Sequence, residues 1–124
     1  MAVKQELYKL TGKTIDRTQI IIINYFYRNT NGNTTLAINH YPYDNKYKRY
    51  VKKNPGIAQF FMTEKHLQHK EDYVYEDKDE VIKNLLFKYP FEANYIILKP
   101  NGKHFRQAGE YKQDEIAELV KSSW

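Results

Sequence analysis

A tract from Tyr43 to Asn54 combines the two residue types that a nucleic-acid-binding surface needs. Lys and Arg side chains neutralise phosphates, and flat aromatic rings stack on unpaired bases. The tract therefore predicts an RNA-binding surface, which Arg28 and Arg106 would extend if the predicted hairpins lie side by side. Its predicted binding residues are Tyr43, Lys46, Tyr47, Lys48, Arg49, Tyr50, Lys52 and Lys53.

Two other interpretations of the same tract stay open. It could be a solvated edge strand or loop, in which Lys deters aggregation and Tyr is half buried. It could also be the face of a protein-binding regulator or inhibitor that docks on an acidic partner, since Tyr and Arg are enriched at interface hot spots.

The histidines suggest a further alternative, a small ribonuclease that needs no metal. His40 lies at the end of one predicted strand and His104 at the start of another, with Tyr41 and Arg106 nearby in sequence. A histidine base and a cation that stabilises the transition state are the groups such a reaction uses. The sequence does not show whether the two histidines meet.

A metal site has little support in this sequence. His66 and His69, followed by Glu71 and Asp72, could share a helical face, but structural zinc takes four ligands and the chain has no cysteine. Helix capping accounts for the acidic residues around Asp77. Glycine-rich phosphate loops and serine-hydrolase motifs are absent, so we expect no catalytic residue, no metal and no cofactor.

Charge is distributed unevenly along the 124 residues, whose net charge is +5. Residues 1–75 hold 12 Lys and Arg against 6 Asp and Glu, whereas residues 76–124 hold 8 against 9. A local basic excess favours a patch that faces an anionic partner. The first ten residues, MAVKQELYKL, carry charges where a signal peptide needs its apolar segment, so we expect a cytoplasmic protein.

The segment Gln19–Tyr27 is the strongest strand in the sequence, and Thr34–Tyr41 is its predicted hairpin partner. Apolar residues fall on both of its faces, with Ile20 and Ile22 on one and Ile21 and Ile23 on the other, so both faces need cover. Other patterns predict helices over Ala2–Leu10, Val81–Tyr89 and Gln113–Lys121, strands over Ile57–Thr63 and Tyr73–Tyr75, and a hairpin over Asn94–Gln107.

This order of elements lacks regular alternation of strands and helices. We therefore expect one α+β domain over residues 1–124, with a small mixed or antiparallel curved sheet, barrel-like, and two to three helices on one face or at its ends.

The hairpin and basic tract around Ile20–Lys53 resemble the PrgU-type regulators of Gram-positive conjugative plasmids. That resemblance implies a fold like the PUA RNA-binding domain and a role in regulating expression. The sequence thus predicts a cytoplasmic, non-catalytic RNA-binding regulator, with RNA as partner and an acidic protein as the alternative. It leaves the oligomeric state open.

Overall fold

The computed structural model of the chain describes residues 2–27, 45–65, 73–87, 93–108 and 113–122. Within these ranges the chain forms four helices and five strands. The helices are α1 (Ala2–Thr11), α2 (Asn45–Lys53), α3 (Val81–Leu86) and α4 (Gln113–Lys121). The strands are β1 (Ile20–Phe26), β2 (Ile57–Thr63), β3 (Val74–Glu76), β4 (Ala93–Leu98) and β5 (His104–Ala108).

The five strands form one open, mixed sheet in the order β3-β2-β1-β4-β5. Strands β1, β2 and β3 run parallel to one another, and Ile20 of β1 lies opposite Ile57 of β2. Strand β4 pairs antiparallel with β1, and β5 pairs antiparallel with β4. The predicted third strand, the edge strand and the second hairpin are all confirmed.

Central strand β1 is covered on both faces, as its apolar pattern predicts. Ile21 and Ile23 point to a core that contains Leu7 of α1 and Ile82 of α3. Ile22 points the other way. The second core is completed by residues of α2, β2, β4 and α4, namely Tyr47, Ile57, Tyr95, Ile97, Ile116 and Ala117. The architecture is therefore a three-layer α/β fold.

The expectation of a barrel-like α+β fold is wrong, because the sheet is open and most of the basic tract forms a helix between two parallel strands. Residues Asn45–Lys53 form α2, which lies between β1 and β2 in sequence and packs on the sheet through Tyr47. A parallel strand pair needs such a crossover connection. The sequence pattern did not indicate this strand–helix–strand unit, since eight of the nine helical residues are Lys, Arg, Tyr or Val.

The predicted pairing of β1 with Thr34–Tyr41 is also wrong. Segment Thr34–Tyr41 lies outside the described residues, but β1 is paired along its length by β2 on one side and β4 on the other. A strand has only two hydrogen-bonding edges, so β1 has no edge left for a hairpin partner.

The ends of several elements follow local chemistry that the sequence predicts. Helix α1 ends where Gly12 adopts φ +74° and its N–H donates to Tyr8 O at 2.8 Å. The β4–β5 loop turns at Gly102, whose φ is +89°, while Lys99 N donates to Lys103 O at 2.9 Å. None of the helices within the described ranges is long and apolar enough to cross a membrane.

Candidate functional site at the carboxyl end of the central strand

The carboxyl ends of β1 and β2 lie side by side at the same end of the sheet, because the two strands are parallel and in register from Ile20 to Phe26. In open α/β sheets, ligands bind outside the carboxyl ends of the strands, where the chain reverses direction across the sheet. Here that reversal falls beside β1, since the chain proceeds to β2 and β3 on one side and then crosses to β4 on the other. This end of β1 is the candidate site.

A buried amide cluster lies beneath this end of β1, on the face covered by α2 and α4. Asn24 is fully buried, and its Nδ2 donates to Gln113 Oε1 at 2.8 Å. Its Oδ1 accepts from Gln59 Nε2 at 2.7 Å and from Gln113 Nε2 at 3.2 Å. The Tyr47 hydroxyl donates to Gln59 Oε1. The cluster joins β1, β2, α2 and α4.

The amide cluster supplies hydrogen bonds and no nucleophile or base in the physiological pH range. Carboxamides neither gain nor lose a proton there, and each polar atom of Asn24 already has a partner. What the cluster does is hold the N-terminal turns of α2 and α4 against the sheet. It therefore fixes the shape of the strand ends above it.

On the opposite face, Tyr25 is hydrogen-bonded to a buried carboxylate. Its hydroxyl donates to Asp77 Oδ2 at 2.6 Å, and both side chains are fully buried. Asp77 also accepts the backbone N–H groups of Ile82 at 3.3 Å and Lys83 at 2.9 Å. Burial, followed by the hydrogen bond to Asp77 and its charge, raises the pKa of Tyr25 far above its usual range. The phenol therefore remains a donor.

Tyr27 extends this arrangement beyond the end of β1. Its hydroxyl donates to Phe87 O at 3.0 Å, and its ring centroid lies 5.0 Å from that of Tyr25. Burial is the main cause that raises the pKa of Tyr27 above its ordinary value. The two phenols and Asp77 thus hold both ends of α3 on the sheet.

The described residues that were predicted to bind RNA lie on two elements. Seven of them lie on α2, Arg106 lies on β5, and Tyr43 and Arg28 are outside the described residues. Arg106 faces the α1 and α3 side, because its cross-strand partner Ile96 belongs to that core. The predicted cations on α2, namely Lys46, Lys48, Arg49, Lys52 and Lys53, are exposed or half-buried.

The tyrosines of α2 do not offer free stacking faces. Tyr47 is 1% exposed in the core, and Tyr50 is half-buried with Lys121 Nζ 5.0 Å from its ring centroid. A helix with a 3.6-residue repeat turns residues 47, 50 and 51 towards the sheet and leaves the lysines on the other side. The two residue types are therefore segregated, whereas base stacking beside phosphate contacts needs them together.

Most of the other candidate catalytic and metal-binding residues lie outside the part of the chain that the structure describes. His104 is exposed on β5, and His40, His66, His69, Glu71 and Asp72 lie outside the described residues. Across the described residues, no group of three or more acidic, histidine or cysteine side chains could hold a metal ion. Whether His40 approaches His104 stays untested.

Sequence reasoning missed the residues that organise the candidate site. Asn24 follows a run of four isoleucines in the most apolar strand, and Gln59 interrupts the apolar strand β2. A polar side chain in a buried strand needs an internal partner. That rule would have marked Asn24 and Gln59, although their link to Gln113 depends on the tertiary fold.

Comparison with solved structures shows a thioredoxin-like fold. The chain is similar to the exposed lipoprotein thioredoxin of Streptococcus pneumoniae, with a TM-score of 0.59, 10% identity and 85% of each chain covered. It is similar to a secreted disulfide oxidoreductase of Mycobacterium tuberculosis, with a TM-score of 0.51, 11% identity, and 83% of this chain and 81% of that chain covered. No protein-family model matches the chain, and no curated protein matches it.

A third similar structure is that of M. tuberculosis DsbF in mixed oxidised and reduced forms. Its TM-score is 0.52 at 12% identity, with 83% of this chain and 79% of that chain covered. The TM-scores of these three structures establish a shared fold.

These similarities correct several predictions. The resemblance to PrgU-type regulators and the PUA-like fold are wrong, because the chain has a thioredoxin-like α/β fold. The predicted RNA-binding regulator and its RNA partner are contradicted, since the similar structures are a thioredoxin and disulfide oxidoreductases. The prediction that the protein is not an enzyme is contradicted by the same comparison, although this chain has no cysteine.

Proposed function

We propose that this chain works in a thiol–disulfide system by binding an extended segment of a partner protein that supplies the cysteines. The observation that carries this proposal is the combination of a thioredoxin-like fold with a sequence of 124 residues that contains no cysteine. Disulfide exchange proceeds by attack of a thiolate on a disulfide sulfur. The attacking thiolate and the disulfide must therefore both come from molecules other than this chain.

The geometry of the sheet supports a binding role for this chain. The amide cluster fixes the ends of β1 and β2 from one face, and Tyr25 with Asp77 fixes them from the other. A platform whose side chains are already ordered loses little conformational entropy when a partner binds. The sheet that these contacts order is thus suited to hold a flexible partner segment in one orientation.

The test uses an unfolded probe with no free thiol, namely ribonuclease A that has been reduced and carbamidomethylated. This probe is basic, as is the chain with its net charge of +5, so net charge does not favour the complex. We expect saturable binding in isothermal titration calorimetry and none to native ribonuclease A. Equal heats for the unfolded and native probes would refute the proposed binding.

A second measurement tests the link to thiol chemistry. Insulin is reduced by dithiothreitol with and without one equivalent of the chain, and the release of B chain is followed over time. The chain alone should leave insulin intact, because it has no thiol to donate electrons. With dithiothreitol present, the rate should change at least twofold. An unchanged rate of insulin reduction would refute a role for the chain in thiol–disulfide exchange.

A cytoplasmic location is a further part of the proposal. The chain has no cysteine, so it needs no oxidising compartment to form disulfides. Cell fractionation with an antibody against the chain tests this location, and recovery outside the cytoplasmic fraction would contradict it.

A further inference from the structure

Strand β5 lies at one edge of the sheet, and within the described residues no strand pairs with its outer side. The antiparallel ladder determines which backbone groups point outward. Lys99 N donates to Lys103 O, so the 99–103 pair is hydrogen-bonded and alternate residues after it turn their N–H and C=O groups away from β4. The residues whose backbone N–H and C=O groups point outward are His104, Arg106 and Ala108.

The side chains of this edge carry positive charge on one face of the sheet and an aromatic ring on the other. Arg106 and His104 are exposed on the α1 and α3 face. Phe105 is 36% exposed on the opposite face, where its ring stacks on Tyr95 with centroids 6.1 Å apart. An added strand would therefore meet a cation on one side and an apolar surface on the other.

Arg106 keeps most of its hydrogen-bonding capacity. Its Nη1 donates to Leu86 O at 3.4 Å in an exposed contact. This distance is longer than the 2.7–3.2 Å usual for such bonds, and a guanidinium has five N–H donors. The side chain can thus turn to a carboxylate at little cost.

We infer that the outer edge of β5 is the docking site for the extended partner segment, and that this segment places a Glu or Asp side chain opposite Arg106. The inference rests on the proposed function, because it names the site and chemistry of the same partner. Backbone hydrogen bonds to the edge provide affinity, and alternate side chains provide specificity. The residues before and after the carboxylate lie opposite Phe105 and Gln107, and an apolar side chain suits the position opposite Phe105.

Charge argues against a second copy of this chain as the occupant. Two β5 strands paired antiparallel about Arg106 would place two arginines directly opposite each other. Like charges at opposite positions destabilise a strand pair, and cations on an edge strand deter indiscriminate pairing. A segment with a carboxylate at that position replaces the repulsion with a charge-assisted hydrogen bond.

The test uses two blocked peptides, Thr-Val-Glu-Val-Thr and its Lys analogue Thr-Val-Lys-Val-Thr, titrated into the ¹⁵N-labelled chain. With the Glu peptide, we expect the largest amide shifts at His104, Arg106 and Ala108, whose N–H groups point outward. The Lys peptide should bind at least fivefold more weakly. Equal affinities, or shifts centred on another element, would overturn the assignment.

Two variants sharpen the test. Arg106→Glu should reverse the preference in favour of the Lys peptide, whereas the same charge change at exposed Lys52 of α2 should leave it unaltered. Ala108→Pro removes a backbone N–H that does not take part in the pairing with β4. It should therefore weaken the binding of both peptides, while the far-UV circular dichroism spectrum stays that of the wild type. Peptide binding that survives both variants would show that the edge is not the site.

The alkylated ribonuclease probe separates this inference from the proposed function. If that probe binds the wild type but is unaffected by Arg106→Glu and Ala108→Pro, the chain binds extended segments elsewhere and the inference fails alone. If the wild type does not bind it, the proposed function fails. A dimer of the wild type in sedimentation that Ala108→Pro makes monomeric would assign the edge to a second copy and overturn the inference.

Discussion

At the residue scale, Asp77 links the sheet to a short helix. Its carboxylate accepts hydrogen bonds from one phenol and from two backbone N–H groups. Its own N–H donates to Thr63 O at 2.9 Å. Helix α3 has only six residues and begins at Val81 after Glu80, which adopts a left-handed φ of 58°. A helix this short is not stable by itself. Asp77 therefore supplies much of what holds α3 in place.

Replacing Asp77 with Ala should destabilise the fold by about 2–4 kcal/mol, because the Tyr25 hydroxyl, the buried N–H of Ile82 and the partly buried N–H of Lys83 lose their acceptor. The matched control is Asp79→Ala. Asp79 is exposed and its main partner is Lys9 at 2.7 Å, and an exposed ion pair of this kind contributes little to stability. Urea unfolding at pH 7 measures both variants. Equal losses of unfolding free energy in the two variants would show that the hydrogen bonds of Asp77 contribute no more than the contacts of Asp79.

At the element scale, α2 has two faces with different tasks. Its inner face buries Tyr47 against Ile22 and Ile57, which fixes the crossover between the parallel strands. Its outer face carries exposed cations, and Lys52 and Lys53 fall in the last turn, where positive charge stabilises the helix dipole. The lysines therefore have a structural explanation, and any binding role for the outer face stays a prediction.

The burial of this inner face predicts opposite outcomes for removing a tyrosine ring from the core and from the surface. Tyr47→Ala should cost about 3–5 kcal/mol, as for other large aromatic residues removed from a core. Tyr8→Ala provides the same chemical change at a residue that is 57% exposed, and it should alter stability by about 0.5 kcal/mol or less. Thermal and urea unfolding measure both. If Tyr47→Ala leaves the free energy of unfolding unchanged, Tyr47 is not part of the core.

At the scale of the whole molecule, tyrosine burial makes the fold sensitive to alkali. Burial, with a further effect of Glu115, raises the pKa of Tyr95 to about 12, and burial also raises the pKa values of Tyr25 and Tyr27. Tyrosines in the unfolded chain ionise near pH 10. Above that pH the unfolded state binds fewer protons than the folded state, so stability falls as pH rises.

Urea unfolding between pH 8 and pH 11.5 should show this loss of stability. We expect the midpoint to be flat up to about pH 10 and then to decline, with a shallower decline in Tyr95→Phe. Tyr8→Phe, at an exposed position, should follow the wild type. Identical pH profiles for Tyr95→Phe and wild type would contradict the burial argument. We also propose that residues 1–124 form one domain, which requires one unfolding transition in these curves.

Local patterns in the sequence determined most of the elements. The apolar spacing of Val3 and Leu7 and the glycine after them specify α1, and Asn101 with Gly102 specifies the β4–β5 turn. The alternation of isoleucines in β1 also determined that both faces of the central strand are covered. These features arise from contacts within a few residues, so the sequence alone carries them.

Only the tertiary structure decided which strands are neighbours and which polar groups meet. The partners of β1 are β2 and β4, whose starting residues lie 37 and 73 positions beyond Ile20. Gln113 meets Asn24 across a separation of 89 residues, and Tyr25 meets Asp77 across 52. Pairings of this range depend on how all layers pack together. For that reason the amphipathic helix α2 resembled a basic surface tract, and the thioredoxin-like fold was not visible in the sequence.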